Sequence, residues 1–163
     1  MKKGIIYGGA VVCVVMLGYF LTLAPAATHT ASMTATTTGT LTLIKQYQSG
    51  STLECWAIGW TSSDKGNAGG YTDDIHGTIE RIVYNPGSAA PTANYDMYLT
   101  DQDGVDLLNG TGVNLHTTTT LSTITTEGDG TTNVPMTFTG RATLAVSDAG
   151  STKTGTLRIY VRY

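Results

Sequence analysis

Between Ile79 and Gly112 the chain runs IERIVYNPGSAAPTANYDMYLTDQDGVDLLNGTG, and few architectures accept such a segment. Two runs of period-2 alternation flank a loop punctuated by Asn85-Pro86-Gly87 and Ala90-Pro91. Proline lacks the N–H that a ladder needs, and glycine favours positive φ, so the loop breaks the strands on either side. The alternation is expected to set Ile79, Arg81 and Val83 on one face, and Tyr95, Met97 and Leu99 on one face beyond the loop. An Asp103-Gly104 turn and a short third strand at 104–108 follow.

The same grammar continues along the chain. Strands are expected at 41–47, 52–61, 75–84, 94–100, 104–108, 119–125, 133–138, 140–147 and 155–163. Turn signals separate them at Ser49-Gly50, Gly66-Asn67-Ala68-Gly69-Gly70, Asn109-Gly110, Asp129-Gly130 and Ala149-Gly150. Thr36–Thr38 and Thr117–Thr120 are runs of a β-branched residue that favours extended backbone. No 3.6-residue period follows residue 27. The predicted fold is therefore all-β, an antiparallel β-sandwich or small jelly-roll-like barrel, preceded by one N-terminal hydrophobic helix. The last two strands are expected to form a hairpin across Asp148–Gly155. In the second of them Leu157, Ile159 and Val161 alternate with Arg158, Tyr160 and Arg162.

Three regions differ in composition. Residues 1–27 form a hydrophobic signal or membrane anchor, 28–40 a Thr-rich linker, and 41–163 a β-sandwich domain. Lys2-Lys3 precede an uncharged stretch over residues 4–23 that includes Ile5, Ile6, Val11, Val12, Val14, Val15, Leu17, Phe20 and Leu21. At about 1.5 Å per residue it just spans a bilayer core as a helix. Cleavage after Ala26 satisfies an A-x-A rule, whereas the apolar run exceeds the usual signal core of roughly 7–15 residues. Both readings place the β domain outside the cytoplasm, because the lysines stay inside. His29 in the linker is read as merely solvated.

The net charge of −3 argues against a protein that grips phosphates, and without Lys2 and Lys3 the remainder is more acidic still. No nucleic-acid partner is expected. Cys13 and Cys55 lie in different regions, so no disulfide joins them. Cys55 is expected to be a buried small hydrophobe. His76 and His116 have no partner at a familiar ligand spacing. Asp101, Asp103 and Asp106 surround a glycine turn and form a weak calcium candidate, since hard cations need several oxygen ligands. The glutamate of an EF-hand loop is missing, with Gly112 in its place, and an Asx/Gly turn explains the same letters. Trp56 and Trp60 share one face of a strand. They are either core or, if solvent-facing, an aromatic binding platform for glycans. No nucleophile, base and orienting group can be assembled, so no catalytic residue and no cofactor is expected.

Two stretches also carry a resemblance. Asn85-Pro86-Gly87, Ala90-Pro91-Thr92, Asn94-Tyr95-Asp96, Leu99, Asp101, Asp103-Gly104, Asp106, Leu108 and Gly110 form the first. The second is Gly140, Thr143-Leu144, Val146, Gly150, Lys153-Thr154-Gly155 and Tyr160 to Arg162. Over about residues 34–163 the chain resembles a group of small virion-associated β proteins of tailed bacteriophages, of the decoration, head-fibre or tail-associated kind. The resemblance implies a non-enzymatic viral structural protein, a capsid- or virion-associated subunit whose partners are other virion proteins or copies of itself. The virion is then its location. The alternative is a membrane-tethered or secreted β-sandwich binding module for surface glycans or a partner protein. That would lie in the host membrane through residues 4–23, or be exported if residues 1–26 are cleaved. The leader departs from the group, whose members begin directly with the β region.

Overall fold

The computed structural model describes residues 27–31, 34–35, 39–47, 51–124 and 136–163. The expected N-terminal helix, its apolar residues Ile5 to Leu21, and the turns at Ser49-Gly50 and Asp129-Gly130 lie outside these residues. The described chain is all-β. Its strands are β1 (Ala27–Ala31), β2 (Thr34–Ala35), β3 (Gly39–Tyr47), β4 (Leu53–Ser62), β5 (Ala68–Pro86), β6 (Asp96–Thr100), β7 (Leu121–Thr123), β8 (Met136–Ser147) and β9 (Thr154–Arg162). All pair antiparallel in one sheet of order β1-β3-β4-β9-β5-β8-β6, with β2 and β7 pairing β5 off this path. The sheet curls into a nearly closed barrel.

β5 makes the curl. A straight strand of its 19 residues would measure about 60 Å. Its two ends are nevertheless held close: Ala68 pairs with Val146 of β8, Pro86 pairs with Gly155 of β9, and the short link between those strands reaches at most about 25 Å. The strand therefore bends. Register shifts between Tyr71 and Asp74 and between Ile79 and Arg81 mark where. Gly77, at φ 133°, lies between them, and a Cβ there would sit 2.6 Å from the Arg162 carbonyl oxygen. At the first irregularity the buried Thr72 hydroxyl accepts the Ala142 N–H at 3.1 Å, which replaces a lost ladder bond.

This bend explains several differences from the sequence expectations. β8 and β9 are not a hairpin, because β5 runs between them and pairs with both. Ala68-Gly69-Gly70, expected as turn, is already strand. Ile79, Arg81 and Val83 do not share a face: the irregularity after Ile79 turns Arg81 outward and brings Ile82 and Tyr84 into the core. Residues 140–147 and the described part of 133–138 are one strand passing through Gly140 at φ 113°. The 104–108 strand is absent, with a single Thr100–Asp106 bridge followed by turns. Of the described part of the 119–125 segment, residues 119–124, only Leu121–Thr123 is strand. Within the Thr-rich 28–40 segment, β1 pairs along β3 and β2 along β5, so the sheet begins before residue 41.

The core fills the barrel from all sides. Leu43, Ile58, Ile82, Leu99, Leu144 and Leu157 are fully buried, and Tyr95, Met97 and Leu99 share the inner face as alternation predicts. In β9, Leu157, Ile159 and Val161 are buried while Arg158, Tyr160 and Arg162 point outward.

Candidate functional site

β4 alternates strictly, with Glu54, Trp56, Ile58 and Trp60 turned inward. Trp56 is 1% and Trp60 3% exposed, so the pair is core and offers no platform to a glycan. Trp60 lies flat over its cross-strand neighbour Gly155 and tilts against Tyr95, with ring centroids 5.7 Å apart. An indole lying over a strand glycine fills the space its missing side chain leaves. Trp56 is framed by charge. Its Nε1 donates to the Glu54 carboxylate at 2.6 Å, and the Lys45 ammonium stands 3.8 Å from its ring centroid. Glu54 shares that face by parity and is buried, but a carboxylate at a strand start reads as solvated until its bond to the Trp56 indole is known.

The inward turn of Trp56 puts Cys55 on the outer face, half-buried instead of in the core. Burial pushes its thiol up, against the lowering effects of a Tyr160 hydrogen bond and the Arg158 and Arg81 charges. It is therefore a thiol at neutral pH and a weak nucleophile.

Two of the three aspartates of the calcium candidate close turns. Asp101 Oδ1 accepts the N–H groups of Asp103 at 2.9 Å and Val105 at 2.8 Å. Asp106 takes Leu108 N–H on Oδ1 at 3.1 Å and Gly110 N–H on Oδ2 at 2.8 Å. Asp103 is exposed at the tip. Among the described residues no group of three His, Cys, Asp or Glu side chains is placed to hold a metal ion. His76 meets Tyr163 edge-on at 5.3 Å, and His116 Nδ1 accepts backbone N–H groups of Thr118 and Thr119, so the two are apart.

The outer face of β4, β9 and β5 assembles residues the sequence reading did not join. Arg81, Tyr160 and Cys55 are register neighbours across the three strands, as are Val83, Arg158 and Ala57. The Arg81 guanidinium stacks 4.2 Å above the Tyr160 ring, and Arg162 bonds Glu80 at 2.6 Å. The signal in β9 was its alternating Arg158, Tyr160 and Arg162. What brought Arg81 beside them was the bend in β5.

No family model matches this chain, and neither a curated protein nor a solved structure is similar to it. Among the described residues no helix is long and apolar enough to cross a membrane.

Proposed function

We propose that this protein is a non-enzymatic viral structural subunit, associated with a capsid or virion and acting through protein–protein packing. The observation that carries the proposal is where the resemblance residues fall. Of those that could have been chemical, Asp101 and Asp106 close turns on backbone N–H groups and Tyr95 is 1% exposed in the core, while Asp103 stands exposed at the tip. Pro91 is buried in the loop, and Thr92 N–H donates to the Ala149 carbonyl at 2.9 Å. Gly87 N–H donates to Thr154 at 2.8 Å, and thereby ties the first resemblance stretch to the second. Such a domain offers a stiff outer surface, as a packing subunit requires. The tryptophan pair that a glycan-binding module could have used lies inside the barrel.

The test is mass spectrometry and antibody labelling of purified virus particles from cells that encode the chain. The expected result is the protein in stoichiometric amount on intact particles. Its presence in the cell envelope alone would overturn the proposal in favour of a membrane-tethered module.

A further inference from the structure

Two clusters of like charge lie on opposite flanks of this chain. Three of its four arginines, Arg81, Arg158 and Arg162, occupy the outer face of β9 and the adjoining half of β5. Between Arg81 and Arg141 the sequence has no lysine or arginine at all, while Asp96, Asp101, Asp103 and Asp106 lie on β6 and the turn after it. In the order β9-β5-β8-β6 the two groups stand two to three strands apart, which in a nearly closed barrel puts them on roughly opposite sides. Among the described residues the Arg162–Glu80 contact is the one ion pair, so the aspartates of the turn carry charge that this barrel does not neutralise.

Each patch is also preorganised and has an apolar element. On the basic face, Arg81 is stacked on Tyr160, and Leu53, 38% exposed, adjoins Arg162 in register. On the acidic turn, Val105 is 50% exposed between Asp103 and Asp106, and the Asp101 carboxylate holds its N–H in place. Charged rims around an apolar centre, on elements that need little ordering, are what a protein–protein contact uses. Arg pairs with carboxylates bidentately, which gives such a contact direction.

We propose that the Arg81–Arg158–Arg162 face of one copy docks on the Asp101–Asp106 turn of a second copy. The two patches differ and lie on roughly opposite sides, so one pair of copies cannot engage both at once, and the contact is head-to-tail and propagates into a ring or a filament. The proposal rests on the packing function above and names the surfaces that would serve it.

Sedimentation velocity of the full chain in a mild detergent tests this. The wild type should self-associate in about 50 mM NaCl and at least about tenfold more weakly in about 500 mM, since exposed charges are screened. Arg81→Glu with Arg158→Glu should be monomeric at low salt, and so should Asp103→Lys with Val105→Lys. Circular dichroism confirms that both variants fold. An equimolar mixture of the two should associate again, because each reversed face meets a reversed turn. A monomeric wild type, association indifferent to salt and to both variants, or a mixture that stays monomeric would each overturn the proposal. So would monomeric wild type that binds phosphatidylglycerol vesicles and releases them on Arg158→Glu, which would assign the face to an anionic membrane. Particle location is read from virions and self-association from the isolated chain, so either can fail alone.

Discussion

Gly155→Ala tests the tightest contact of the barrel wall. Gly155 lies between Trp60 and Pro86 in register, and a Cβ built on it would stand 2.6 Å from Cε2 and 2.8 Å from Nε1 of the Trp60 indole. A relaxed contact between such atoms is about 3.5–4.0 Å, so the overlap is on the order of 1 Å. The ring has little room to yield, because it is 3% exposed and packed on Tyr95. Overpacking of this kind costs about 1–3 kcal/mol. Replacing glycine also lowers the entropy of the unfolded chain, which returns about 0.4–1 kcal/mol where the backbone permits alanine. The net expectation is a loss of about 1–2 kcal/mol, seen as a fall in Tm of roughly 3–8 °C by near-ultraviolet circular dichroism. The same substitution in a Trp60→Leu background should change sign, and become neutral or stabilising by up to about 1 kcal/mol. If Gly155→Ala costs the same with and without the indole, the steric argument is wrong.

Three further outcomes are expected. Burial holds the Tyr95 phenol protonated up to about 12 and raises Tyr84 as well, where desolvation outweighs the hydrogen bond to Thr111. The unfolded chain releases these protons near pH 10, so stability is fully present below pH 10 and declines as pH rises toward 12; urea midpoints measured across that window should flatten in Tyr95→Phe. Asp106→Ala strands the N–H groups of Leu108 and Gly110 and should cost about 2 kcal/mol, while millimolar calcium should leave the wild-type midpoint where it is; a calcium-dependent rise would restore the metal reading of the turn. Intact mass should find residues 1–26 retained, and a mature terminus at Ala27 would establish a cleaved signal instead.

Local chemistry made most of the strands legible in the sequence, because alternation and Gly/Asn/Asp turns act over a few residues. β3, β4, β6 and β9 lie where the pattern put them, to within two residues. Hidden was everything that depended on which strands meet. Asp148–Gly155 has the composition of a hairpin turn, yet it carries the chain across β5, whose two halves pair with β8 and β9 separately. Two bulges and one positive-φ glycine decide that outcome. A bulge adds one unpaired residue and leaves no compositional mark, so Glu80 reads like any other strand residue while it reverses the facing of all that follows.

The candidate site was ambiguous for the same reason. Alternation correctly gave Trp56 and Trp60 a common face but not the sign of that face, and the sign depends on what β4 is laid against. Once β9 and β3 flank it, Ile58 and Trp60 must point to the side of Leu157 and Leu43, and Cys55 falls outside by parity. The aspartates show the converse case. Their roles are set within ten residues, by Asx turns that any sequence of this kind can form, so the sequence could favour turns over metal without knowing the fold. The arginine face is the least legible feature of all, since it needs the alternation of β9, the bulge in β5 and the pairing of the two at once. Surfaces of that kind are built by topology, which is why no single stretch of the sequence announces them.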